Sequence, residues 1–186
     1  MSLIPAFEVG VWNAWIFMLI NFLPMPILMR VHKGVLEESL KSYGEANKTV
    51  YYIQWGFWAL AFVYSIFLPL RLGTTWFYVG LPIALVGVVT YATVIVSFAT
   101  NPIGKEPVTT GLYRYSRHPM YITQLIMFIG VGVASASWLF LLLTIVYSAL
   151  SLIYAGSEED GCLKRYGDAY LEYMNRTPRW LGVPKS

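Results

Sequence analysis

Two groups of ionisable and aromatic residues interrupt an otherwise apolar chain. The first is Lys105–Tyr121, KEPVTTGLYRYSRHPMY, which gathers Lys105, Glu106, Arg114, Arg117 and His118 among the stiff or aromatic residues Pro107, Tyr113, Pro119 and Tyr121. The second is the pair Glu158-Glu159, 40 positions after His118. An imidazole, a guanidinium and carboxylates can hold a charged ligand or move a proton, and at a membrane boundary such groups are functional candidates by default. Taken singly, each also fits a plainer role. Arg117 and the glutamates can mark where helices leave a bilayer, with Arg117 ion-paired to Glu158. The joint pattern carries the argument.

The elements that position these residues follow from hydropathy. The 186 residues are 57% hydrophobic and only 12% charged, against about a quarter charged in a soluble domain. One integral membrane domain is expected, all-α, with five transmembrane helices. The apolar runs are Val9–Met29, Tyr51–Leu70, Trp76–Phe98, Met120–Ala134 and Trp138–Ala155. Residues 1–98 carry three spans. Residues 99–186 carry the polar loop, a helical hairpin of the last two spans, and a C-terminal segment whose Leu163, Tyr166, Tyr170 and Tyr173 recur at helical spacing. That segment reads as an interfacial amphipathic helix or as a packing stripe over the ends of the spans. Asn13 and Asn21 are placed to hydrogen-bond neighbouring helices, and Gly130, Gly132, Ala134 and Ser135 to admit a close helix approach. Arg30–Lys48 reads as a short surface helix, Arg71–Thr75 and Ser135–Ser137 as tight turns. The N-terminus lacks a basic signal-peptide flank, so the first run is expected to be retained.

The net charge of +3 with no basic block argues against a nucleic-acid partner, and the single Cys162 excludes an intrachain disulfide or a cysteine metal cluster. With the N-terminus outside, the cytoplasmic segments hold 12 of the 13 Lys and Arg, which sets the polar loop and the Glu-Glu pair on the cytoplasmic face. The hairpin then makes a site. From Pro119 to the turn is about 24 Å of helix, and from the turn to Glu158 about 30 Å. Allowing for tilt, Arg117, His118, Tyr121, Glu158 and Glu159 converge at one interface.

At these residues the chain resembles the isoprenylcysteine carboxyl methyltransferase and phospholipid methyltransferase family of membrane enzymes. The residues that carry the resemblance are Gly111-Leu-Tyr113-Arg-Tyr-Ser-Arg117-His118-Pro119-Met-Tyr121, then Glu158-Glu159, Leu163, Tyr166-Gly167 and Tyr170-Leu-Glu-Tyr173. They span roughly Ile103 to Pro184. The resemblance implies interfacial cofactor-binding loops and S-adenosylmethionine as methyl donor. It places donor contacts on Lys105, Glu106, Pro107, Val108, Tyr113, His118, Pro119, Met120, Tyr121 and Glu158. Catalytic roles fall on Glu158, Glu159 and Arg117, with Glu158 or Glu159 as a base where the nucleophile is an ammonium. No metal is implied. The implied acceptor is lipid-soluble or membrane-delivered: an amine headgroup, a thiol or a carboxylate. Members acting on prenylcysteine carry an Arg five residues before the first Glu. Ile153 stands there, which favours an acceptor without a carboxylate. Two other classes compete. One is an NADPH-dependent membrane reductase of the sterol type, whose related signature has Asn where Met120 stands. The other is a non-catalytic membrane scaffold.

Overall fold

The chain is described by a computed structural model covering residues 7–23, 48–101 and 106–185. Lys105 and the expected surface helix Arg30–Lys48, except for Lys48 itself, lie outside the described residues, as does the end of the first apolar run. Among the described residues the secondary structure is helical: α1 (Trp15–Phe22), α2 (Lys48–Ile66), α3 (Thr75–Thr100), α4 (Pro119–Ala134), α5 (Trp138–Tyr166) and α6 (Asp168–Arg176), with a single 3-10 turn at Gly111–Arg114.

The helix starts follow local chemistry. Thr74 caps α3 by accepting from Phe77 N (3.4 Å), and Ser137 caps α5 by accepting from Phe140 N (3.2 Å). Pro119 opens α4, where a missing N–H does no harm. Gly73 and Gly167 adopt positive φ at the turn before α3 and at the break between α5 and α6.

Among the described residues two helices, α3 (26 residues) and α5 (29 residues), are long and apolar enough to cross a bilayer, and α4 is a shorter apolar helix. Both long helices keep large apolar side chains on their outer faces: Val79, Leu85, Val86, Val89 and Val96 on α3, and Leu142, Ile145, Val146, Leu152 and Ile153 on α5. An outward apolar stripe of that size suits lipid rather than water. The expected second span is the helix α2, but its Tyr, Gln, Thr and Lys content keeps it below the hydropathy of α3 and of the apolar part of α5. The first run contributes only the eight-residue α1 within the described residues. The apolar part of α5 ends near Ala155. The helix itself continues for about three more turns, so Glu158, Glu159 and Cys162 ride on a rigid extension beyond the apolar segment.

The helices pack through small residues and rings. The closest approach is α3 against α4, which run antiparallel. A Cβ on Gly80 would sit 2.2 Å from Ala134 N, and one on Gly130 would sit 2.2 Å from Ala84 N. A Cβ on Gly87 would lie 2.4 Å from Met127 N. The hairpin turn Ser135–Ser137 is as tight as expected, but the most extensive helix pair is α3/α4 and not the α4/α5 hairpin. Behind it, Trp58 of α2, Phe128 of α4 and Tyr147 of α5 meet edge to face, with centroids 5.1 Å (Trp58–Phe128) and 5.0 Å (Phe128–Tyr147) apart. Both asparagines do bind neighbours. Asn13 Nδ2 donates to Ile66 O (2.8 Å), and Asn21 Oδ1 accepts from Gln124 Nε2 (3.3 Å), while the Tyr147 hydroxyl donates to Gln124 Oε1.

Candidate active site

The site begins at the turn that launches α4. Ser116 is buried, and its hydroxyl accepts from His118 N (3.0 Å) and donates to Arg179 O (3.2 Å). This fixes His118 at the helix N-cap, with its ring directed at α5. His118 is 4% exposed. Its Nε2 lies 3.2 Å from Glu159 Oε1 and its Nδ1 3.4 Å from Glu158 Oε2. One turn along α4, the Tyr121 hydroxyl donates to Glu158 Oε2 (2.9 Å), and its ring stacks on His118 at 5.6 Å. Tyr154 of α5 meets Tyr121 edge-on at 6.2 Å.

The two glutamates differ sharply. Glu159 is 2% exposed and surrounded by cations: His118 as above, Arg179 on Oε2, and Arg117 with Nε 3.0 Å from Oε1. The Arg117 contact is an ion pair without hydrogen-bond alignment, since its Nε–H has no partner in line. Burial pushes the Glu159 carboxyl upward, but the bonds from His118 and Arg179 and the charge of Arg117 outweigh it and hold the group at about 2. Burial pulls the His118 ring down, and the hydrogen bonds and charges of Glu158 and Glu159 more than reverse this, raising it above its ordinary value. Glu158, by contrast, keeps 32% of its side chain exposed. Burial, reinforced by the charge of Glu158, pushes the Cys162 thiol up to about 12, which leaves it uncharged.

The expected residues therefore fall into two neighbouring places. His118, Tyr121, Glu158, Glu159 and Arg117 converge between the start of α4 and the extension of α5. Arg117 pairs with Glu159, not with Glu158. Glu106 and Pro107 instead line an open cleft of roughly 640 Å³ against α6, with Arg114, Glu172, Tyr173, Arg176, Thr177 and Lys185 around them. Tyr173 joins the two places, because it lines the cleft and its buried hydroxyl donates to Tyr113 O (2.7 Å). Tyr170 and Tyr173 are thus packing residues of α6, while Leu163 and Tyr166 belong to α5, so the expected single amphipathic helix is two helices broken at Gly167. Val108 and Tyr113 are half-buried in the approach to the turn, Pro119 is buried at the start of α4, and Met120 is half-buried beside it.

Two residues of the site carry no signal in the sequence reading: Arg179 and Trp180. They lie on a C-terminal strap fastened to the His118 turn. Arg117 N donates to Pro178 O (3.0 Å) and Gly182 N to Tyr115 O (3.0 Å), and the Trp180 ring lies 5.7 Å from His118. A conspicuous Arg-Trp pair near the end of the chain was the available cue. Its spacing to the other motifs has no helical period, so nothing but the fold brings it here.

No curated protein matches the chain. A family model described as phospholipid methyltransferase matches residues 96–169. That segment runs from the end of α3 through the His118 turn and both glutamates. The family is one of membrane methyltransferases, in keeping with the two lipid-suited helices. Residues 96–169, which carry most of the cluster, are thus similar to the phospholipid methyltransferase family.

Proposed function

We propose that the protein is an integral membrane, S-adenosylmethionine-dependent methyltransferase acting on a lipid-soluble or membrane-delivered acceptor. The observation that carries this reading is the meeting of His118, Tyr121 and a half-exposed Glu158 at the mouth of α4 and α5, inside the family-matched segment.

The residues present fit such a donor. When bound, S-adenosylmethionine supplies an electrophilic sulfonium methyl. Tyr121 and Trp180 offer ring faces to a soft cation. The Glu158 side chain is 32% exposed, so its carboxylate can accept from an amino group or a diol. His118 and Arg117 are engaged by Glu159, so the cations left for the donor's carboxylate are Arg114 and Lys185 of the adjoining cleft. Glu159 at about 2 is too weak a base to take a proton from an ammonium. Its role is to orient His118, and Glu158 is the general-base candidate. The work of the chain is alignment and exclusion of water around an already activated methyl group. Ile153 is exposed on the outer face of α5, on the side from which a lipid acceptor arrives. In this reading the protein spans the bilayer several times, with its N-terminus outside and the cluster at the cytoplasmic face.

The test is incubation of purified enzyme with isotopically labelled donor and a membrane lipid extract, followed by mass spectrometry. A labelled methyl on an extractable lipid is the expected result. Titration with NADPH in parallel addresses the reductase class, and binding of neither cofactor would leave the scaffold reading.

A further inference from the structure

One polar side chain inside the bundle is not explained by the site. Gln54 of α2 is 7% exposed, and neither its amide nitrogen nor its oxygen has a hydrogen-bond partner. A buried amide left without partners is costly, and native structures tolerate one where something else completes it. The buried amides of Asn21 and Gln124 are joined, Asn21 to Gln124 and Gln124 to Tyr147, and of the other orphaned atoms Arg117 Nε faces Glu159 in the site and Ser135 Oγ lies at the hairpin turn.

The position of Gln54 indicates what completes it. Gln54 continues the buried stripe of Phe57, Trp58, Ala61 and Tyr64 by one turn, so it faces the interior. Helices α2 and α5 run antiparallel. The Tyr64 hydroxyl lies 3.1 Å from Ser137 Oγ at the start of α5, and the Trp58 ring lies 5.9 Å from Tyr147 further along. One more turn of the same register sets Gln54 level with Ser151 and Tyr154. The Ser151 hydroxyl donates to Tyr147 O (2.8 Å). Tyr154 meets Tyr121, which holds Glu158. Gln54 therefore lies on the bilayer side of the cluster. It is six residues, about 9 Å, along α2 from Lys48, and a bilayer's polar layer is roughly 5–8 Å deep on each side. Counted from a lysine at the water boundary, that reaches the inner edge of the polar layer, where the ester carbonyls of a lipid lie.

We propose that Gln54 binds the acceptor, its amide N–H donating to an acyl-ester carbonyl of a glycerolipid whose headgroup reaches Glu158. The proposal rests on the methyltransferase reading for the identity of that lipid as acceptor, but its binding test does not.

The experiment uses the full chain in detergent, wild type and Gln54→Leu, with thermal unfolding followed after addition of diacyl phosphatidylethanolamine or its dialkyl ether counterpart, which lacks the carbonyls. The wild type should be raised further by the diacyl lipid than by the ether, with about a tenfold difference in affinity for one lost hydrogen bond. Gln54→Leu should erase that difference while unfolding at a higher temperature without lipid, because it removes the orphaned amide. Equal response of the wild type to both lipids, or a preference that survives in Gln54→Leu, overturns the proposal and leaves a bound water as the partner of the amide. S-adenosylmethionine titration of the same two proteins separates the two claims. Equal donor affinity in both is expected. A wild type that discriminates the lipids yet binds no donor retains the lipid site and refutes the methyltransferase reading.

Discussion

Glu158 and Glu159 are neighbours in sequence in opposite surroundings, and the difference arises from burial and cation count. Removing Glu159 leaves His118, Arg117 and Arg179 facing one another around a buried void. Glu159→Ala should therefore destabilise the fold by about 3 kcal/mol, the usual penalty for breaking a buried ion pair, read as a lowered unfolding temperature. Glu158→Gln keeps the bulk of a half-exposed side chain, so its unfolding temperature should stay close to wild type while donor affinity falls. The same pair predicts a pH dependence. Glu159 is held at about 2 against an ordinary 4.5, so its stabilisation is complete above 4.5 and is lost as pH falls towards 2. His118 is raised above its ordinary 6.5, so its stabilisation is complete below 6.5 and is lost as pH rises through its folded value. Unfolding temperature should thus be flat between about 4.5 and 6.5 and decline on both sides as far as these groups govern it. His118→Ala should remove the alkaline decline.

At the scale of elements, the site depends on how closely α4 is held and on the strap beyond α6. Gly80, Gly87 and Gly130 let backbones touch, so there is no flexible side chain to yield to a new methyl group. Gly130→Leu should destabilise by roughly 2 kcal/mol or more through overpacking and should impair donor binding by displacing the start of α4. A scan of unfolding temperature and donor affinity checks both. The strap acts locally. Deleting residues 178–186 removes Arg179 and Trp180, and should weaken donor binding while leaving the helical circular dichroism nearly unchanged. The sequence made part of this visible. The bounds of α3 and α4, the turn at Ser135–Ser137 and the meeting of His118 with Glu158 could be argued from hydropathy and helix rise. The α3/α4 contact could not, because Gly80 and Gly87 lie in an apolar run where only the partner helix reveals why they are small. The extension of α5 through Tyr166 was hidden by its change from apolar to charged residues, which alters the environment and not the helix. Arg179 reaches Glu159 through an irregular strap that no periodicity encodes.

At the scale of the whole molecule, lipid-suited faces on α3 and α5 surround a polar cluster at one end of the bundle. A charged carrier arriving from water and an acceptor arriving from the bilayer would meet there. The proposed orientation predicts that a cysteine placed at Lys185 reacts with an impermeant thiol reagent only in inside-out vesicles, while one placed at Leu72 reacts only in right-side-out vesicles. The central claim is that the cluster holds the methyl donor. It is tested most directly by calorimetric titration of S-adenosylmethionine into the purified full chain and into Glu158→Gln. The account predicts saturable binding to the wild type and at least about tenfold weaker binding to the variant at unchanged unfolding temperature, the effect of losing one charge-assisted hydrogen bond. Absence of binding to the wild type, or equal affinity in both proteins, would contradict it.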